Sequence, residues 1–406
     1  MIQREWYLKE LISYKDKQLI KILTGIRRCG KSTLLEIYEA YLLEHGVEDN
    51  QIITINFEDM DFADLTDAKA LYAYIKERMD NKRRYYIFLD EVQHVKGFQK
   101  VVDSLFIKKN TDVYITGSNA YMLSGEMATL LSGRYVEIKV MPLSFKEYIG
   151  YCGDRIELNK KYADYLQFSS FPYTTELAGN LKQINDYLGG IYNTVVLKDV
   201  VARKNVSDVM MLESFISFMF DNIGNSFSTK KISDTMTSEG RKISTHTVES
   251  YLSALIDSYI IYRAKRYDVK GKQYLKTMEK YYVIDIALRH FLIGNKGTDR
   301  GHILENVIYL ELLRRGYEVY IGKVDSGEVD FIAKKSDITV YYQVALTVRE
   351  EKTLERELLP LNKIADHYPK YILTLDEDVP ANYNGIRIRN ALEFLLEDDR
   401  SYFCEI

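Results

Sequence analysis

The strongest chemistry in the chain lies in Gly25-Ile26-Arg27-Arg28-Cys29-Gly30-Lys31-Ser32, a complete Gly-x-x-x-x-Gly-Lys-Ser run. Its glycines let backbone N–H groups curl around phosphate oxygens, and Lys31 reaches the β/γ oxygens. Ser32 can ligate Mg²⁺ at the start of a helix whose dipole favours anions. Such a cradle requires a buried strand before it and a helix after it. Residues 17–24 read as the strand, and Leu34, Leu35, Tyr38, Tyr41 and Leu42 continue at helical spacing. The candidate phosphate-binding set is therefore Gly25, Cys29, Gly30, Lys31, Ser32 and Thr33.

Mg²⁺ also needs a fixed carboxylate at the end of a neighbouring buried strand. Tyr85-Tyr-Ile-Phe-Leu-Asp90-Glu91 supplies it: Asp90 faces the metal with Ser32, and Glu91, one position on, can polarise an attacking water. A third apolar run, Asp112-Val-Tyr-Ile-Thr, ends in Gly117-Ser118-Asn119, polar groups where a γ-phosphate would lie.

Over residues 1–140 these segments resemble the AAA-like branch of P-loop ATPases. By order along the chain, Asn119 holds that family's γ-phosphate sensor position. Gly133-Arg134, then Pro142-Leu-Ser-Phe-Lys-Glu147, narrow the resemblance to bacterial and archaeal ATPases that carry a winged helix and a C-terminal restriction-endonuclease-like domain of unknown function. The resemblance implies ATP and Mg²⁺ as cofactors and Lys31, Asp90, Glu91, Asn119 and Arg134 as the catalytic set. Arg134 is either an arginine that neutralises transition-state charge, from a loop or a neighbouring subunit, or a strand-capping surface residue. Arg27 and Arg28 stay outside the catalytic set. Cys29 reads as a small packing residue rather than an oxidisable thiol.

The 406 residues suit two or three domains, and 46% apolar residues suffice for a core in each. With 59 acidic against 55 basic side chains, no whole-molecule field draws the chain to nucleic acid or membrane. Cys29, Cys152 and Cys404 form neither a disulfide framework nor a zinc pattern, so a reducing cytoplasm is the expected compartment. Neither a signal core nor an 18-residue apolar run is present, so no membrane partner is expected.

The expected fold class is α/β: a P-loop parallel sheet with an AAA-like core over 1–145, a helical lid over 146–206, a winged helix over 207–290 and a restriction-endonuclease-like α/β domain over 291–406. Residues 241–280 hold nine Lys/Arg against four Asp/Glu, and Arg263, Lys265, Arg266, Lys270 and Lys272 cluster near the expected wing. DNA contact by phosphate and packing against a protein partner are both open there, because the third helix offers an acid and no arginine for base readout.

In the last domain, Glu305 on a helix, Asp330 on a strand and Gln343 on the next strand match the acidic positions of the resembled nucleases. Ala345 stands where their lysine would be. Residues two apart on a strand share a face, so alanine there removes the cationic amine from the site. The reading is a degenerate site on a catalytically silent fold. The expected function is Mg²⁺-dependent ATP hydrolysis coupled to conformational change in a C-terminal half that contacts DNA or a partner, with a homo-oligomer as a further expectation. The alternatives are a nucleotide-gated binding module with slow turnover and an ATP-regulated, metal-dependent nuclease.

Overall fold

A computed structural model describes the chain from residue 2 to 397 except 81, 119–130, 132, 154–155, 195–199, 202–205, 207, 272, 326 and 379–381. Asn119, Lys272 and Cys404 therefore lie outside the described residues. The chain divides into two compact units, Met1–Pro142 with Asp257–Tyr259, and Leu143–Ile256 with Ile260–Ile406.

In the first unit, α1 (Glu5–Ser13) precedes β1 (Ile20–Thr24). Then follow α2 (Lys31–Glu44), β2 (Ile52–Asn56), α3 (Ala68–Glu77), β3 (Tyr85–Asp90), α4 (Phe98–Phe106), β4 (Thr111–Gly117) and β5 (Tyr135–Lys139). The strands form one parallel sheet in the order β2-β3-β4-β1-β5. Every residue of β1, β3 and β4 is buried, which explains their unbroken apolar runs: helices cover both faces of a parallel sheet. Ile22, Ile53, Ile87 and Ile115 anchor one side of that core.

The order of strands decides the site. Interposing β4 between β1 and β3 sets their C-terminal ends about 10 Å apart on the same edge, at ~4.8 Å per strand. That gap suits a phosphate chain and its metal.

In the second unit come α5 (Phe145–Cys152), α6 (Leu158–Phe168), α7 (Leu181–Ile191), α8 (Val209–Asp221), β6 (Ser226–Phe227), α9 (Thr229–Ser238) and α10 (Thr245–Asp257). They are followed by β7 (Ile261–Asp268), β8 (Gln273–Val283), α11 (Ile286–Ile293), α12 (Arg300–Arg314), β9 (Glu318–Val324), β10 (Gly327–Lys335) and β11 (Ile338–Ala345). The unit ends in α13 (Glu351–Asn362), β12 (Lys370–Thr374), β13 (Asn382–Tyr383), β14 (Ile386–Asn390) and α14 (Ala391–Leu396). Its mixed sheet runs β13-β14-β12-β11-β10-β9-β7-β8-β6.

Because β7 pairs in parallel with β9, the β7–β8 hairpin extends the C-terminal sheet. Helix α12 is buried without a break from Ile303 to Leu312, so it is central rather than amphipathic. Its buried Asn306 exchanges two hydrogen bonds with the Val283 backbone, at 2.8 and 2.9 Å. Among the described residues, no helix is long and apolar enough to cross a membrane.

Candidate functional site

The loop Gly25–Gly30 leaves β1 and enters α2 as the sequence requires. Gly25 has φ +146°, and a Cβ there would lie 2.0 Å from the Val140 carbonyl oxygen; Gly30 has φ +94°. Side chains at either position would distort the cradle. Lys31 is buried, with its Nζ donating to the carbonyls of Gly25 (3.1 Å) and Ile26 (3.3 Å), so the loop wraps its ammonium.

The same Nζ lies 3.6 Å from Glu91 Oε1. Glu91 directly follows β3 in the left-handed region (φ +51°), a conformation that turns it away from the strand direction of Asp90. Ser32 is in the first turn of α2 and Asp90 is the last residue of β3, both at the edge that Lys31 occupies. Amide cradle, ammonium, hydroxyl and carboxylate are the donor set that a triphosphate with Mg²⁺ requires, and these residues fit it.

Two supporting residues, Thr116 and Arg4, escaped the sequence reading. Thr116 in β4 is fully buried; its Oγ1 accepts from Glu91 N (2.8 Å) and donates to Asp90 Oδ1, tying the two acids to the strand beside them. A hydroxyl in an otherwise apolar buried run was the available signal.

Arg4 is buried before α1. Its guanidinium donates to Cys29 O (3.0 Å) and Met141 O (2.7 Å) and stacks 4.7 Å from the Tyr7 ring, bracing the outer side of the phosphate loop. Ser118 buries a hydroxyl oxygen without a hydrogen-bond partner among the described residues, next to the expected sensor Asn119.

Cys29 Sγ donates to Val140 O at 3.2 Å, and burial holds its thiol above the ordinary value, in keeping with a packing role. Thr33 follows Ser32 in the same helical turn.

Arg134 lies elsewhere. Its carbonyl accepts from Ile20 N (2.9 Å), at the start of β1, so it sits at the sheet edge opposite the phosphate loop, about 13 Å of strand away. Its guanidinium pairs with Asp103 and lies 5.6 Å from the Phe106 ring.

In the second unit, Glu305, Asp330 and Gln343 converge. Gln343 Oε1 accepts from Asp330 N (3.3 Å), and its amide donates to Glu357 Oε2 (2.7 Å). Ala345 leaves no amine on β11, but Lys280 arrives from β8, four strands along the sheet. Its Nζ lies 3.0 Å from Glu305, 2.8 Å from Glu328 and 3.8 Å from Asp330. Register shifts in β10 after Val329 and in the β7–β8 ladder after Ala264 sharpen the local twist there.

Burial lowers the Lys280 pKa, but the Glu305, Asp330 and Glu328 charges outweigh it and raise the ammonium above its ordinary range. The Tyr282 hydroxyl also donates to Glu305.

Lys280 had counted toward the basic wing. Buried among carboxylates, it is no phosphate contact. Arg263 (3.8 Å to Glu279), Arg266 (3.9 Å to Glu328) and Lys270 (3.3 Å to Asp325) also have acidic neighbours, so the wing's positive field is weaker than its count.

Asp330 is pushed up to about 8, first by burial and then by the Glu305 charge. An unfolded aspartate ionises near pH 4, so the folded state holds a proton that the unfolded state releases. Stability therefore falls as pH rises from about 4 to 8. Asp330→Asn removes that loss. Denaturation midpoints should match the parent at pH 4 and exceed it increasingly up to pH 8.5. A difference independent of pH would contradict the assignment.

Comparison with known proteins adds the following. Residues 17–149 match the AAA domain family, and residues 159–299 match a domain of unknown function. An uncharacterised protein of Haemophilus influenzae is 42% identical over 401 residues, covering 98% of this chain and 99% of that one. An uncharacterised protein of Methanocaldococcus jannaschii is 29% identical, covering 95% and 86% respectively. The solved Walker-type ATPase of Pyrococcus abyssi superposes with a TM-score of 0.50 at 15% identity, over 72% of this chain and 96% of that one, a likeness of fold.

Proposed function

Since the chain belongs, over 98% of its length, to the family of the Haemophilus influenzae protein, and its residues 17–149 match the AAA domain family, we propose that it binds ATP with Mg²⁺ and hydrolyses it to ADP and phosphate. The observation that carries this reading is the convergence of Lys31 and Glu91, 3.6 Å apart and both buried, at the ends of two strands separated by a third.

In this reading the loop amides and Lys31 hold the β/γ-phosphates, and Ser32 and Asp90 ligate the metal. Glu91, set by Thr116, polarises the attacking water. Ser118 and Asn119 meet the γ-phosphate. Bound Mg²⁺ supplies charge neutralisation on the phosphate oxygens.

Arg134 is remote from its own loop, so its catalytic role is toward the nucleotide of a second copy of the chain, and the active form is a homo-oligomer. Arg134→Ala should lose about 10³-fold in turnover. Mixed with Glu91→Gln protein, it should regain activity that neither variant has alone. A mixture as inactive as its parts leaves Arg134 with only its Asp103 pair.

For the remainder we assign a helical lid to 146–206, a winged helix to 207–290 and a restriction-endonuclease-like domain to 291–406, with the core at 1–145. The order α8-α9-α10-β7-β8 supports the winged helix. A mixed sheet with Glu305, Asp330 and Gln343 side by side supports the nuclease-like fold. Lys280 favours its silence: the ammonium already stands between the carboxylates that would share a metal, where a divalent cation would meet like charge.

ATP turnover drives conformational change in this C-terminal half, which contacts DNA or a protein partner. Steady-state ATPase rates with and without DNA test the function. Turnover that DNA changes supports the DNA-contacting form, turnover indifferent to DNA supports a protein partner, and binding without turnover replaces the enzyme by a nucleotide-gated module.

A further inference from the structure

The proposed water-activating carboxylate Glu91 also belongs to a second constellation, whose other members, Glu58 and His94, ATP hydrolysis does not use. Glu58, Glu91 and His94 each offer a ligand atom, and these atoms all lie within 4.8 Å of one another. The convergence follows from the sheet: Asn56 ends β2 in register with Asp90 at the end of β3, so the turns that follow the two strands are neighbours. Phe57 N donates to Asp90 O (3.2 Å), and Glu58 N donates to Asn56 Oδ1 (2.9 Å), fixing the first turn. His94 closes a short helical turn on Glu91, its N–H donating to Glu91 O at 3.2 Å.

A second observation points to a ligand. The Gln93 amide donates to Glu91 Oε2 and leaves its own Oε1 buried with no donor among the described residues. That acceptor lies in the short turn between Glu91 and His94, so the segment carries more acceptors than donors.

We infer that Glu58, Glu91 and His94 form an inhibitory site for a borderline transition-metal cation of the Zn²⁺ class. The donor chemistry selects the ion: imidazole with carboxylates suits Zn²⁺, whereas Mg²⁺ prefers oxygens alone in near-octahedral geometry. Tetrahedral ligand atoms around Zn²⁺ at 2.0–2.2 Å stand roughly 3.4 Å apart, so closing the site needs a contraction of up to about 1.4 Å. Glu58 and His94 are exposed and supply it, while Glu91 stays buried.

A metal on Glu91 takes the lone pair that would otherwise polarise water. Hydrolysis stops while the phosphate loop remains free to bind ATP. The inhibitory consequence rests on the function proposed above; the metal site itself does not.

Zn²⁺ titrated into the nucleotide-free full chain, against a metallochromic indicator, is expected to bind, and His94→Ala and Glu58→Gln each to weaken it by about tenfold or more. With ATP and Mg²⁺ in excess, Zn²⁺ should lower parent turnover by about tenfold or more. Both variants should keep the parent rate without zinc and lose the inhibition. Zinc affinity unchanged in both variants overturns the site. Affinity lost in the variants in a chain that hydrolyses no ATP upholds the metal site and sinks the proposed function instead.

Discussion

Glu91→Gln should bind ATP with Mg²⁺ as the parent does and lose hydrolysis by about 10²–10⁴-fold, whereas Lys31→Ala should lose both. The amide keeps the size of the carboxylate but cannot accept a proton from water. Nothing in the cradle depends on that proton: the loop wraps Lys31 through the Gly25 and Ile26 carbonyls, and Thr116 holds the Glu91 backbone rather than its carboxylate. Lys31 is different, because its ammonium is the one cation that Gly25, Ile26 and Glu91 share. Single-turnover hydrolysis and nucleotide binding, measured on the same preparations, separate the two variants. Parent-like turnover in Glu91→Gln would remove Glu91 from the mechanism.

The second large effect is on stability. Lys280→Met leaves Glu305, Glu328 and Asp330 without the ammonium that all three approach within 3.8 Å. Breaking a buried ion pair from one side costs about 3–5 kcal/mol, because the remaining charge keeps its desolvation penalty. Denaturant unfolding of the second unit should show a loss of that size, and Glu305→Gln in the same chain should recover part of it. A loss under about 1 kcal/mol would mean that water or protonation already neutralises the acids.

Much of the nucleotide site was legible because its chemistry is contiguous. Gly25 to Ser32 is one segment with fixed spacing, and Asp90-Glu91 ends an apolar run whose burial follows from a parallel sheet. Arg4 and Thr116 were not legible: each acts on the site through long-range contacts, from positions that read as an ordinary N-terminal arginine and a strand threonine.

Lys280 shows the limit more sharply. Ala345 made the missing amine visible without pointing to its replacement. The lysine comes from a strand brought near by the β7–β9 pairing. Sequence spacing carries no trace of that pairing, and the charge count over 241–280 included Lys280 although it is buried. The opposite-edge position of Arg134 likewise depends on strand order, which apolar runs do not encode.

Isothermal titration of ATP into the folded chain, with and without Mg²⁺ and beside Lys31→Ala, tests the central claim most directly. The expected result is one saturable site per chain, tightened by Mg²⁺ and abolished in Lys31→Ala. Absence of nucleotide heat in the parent, or equal heat in Lys31→Ala, would contradict a triphosphate held between the Gly25–Ser32 cradle and the Asp90–Glu91 pair.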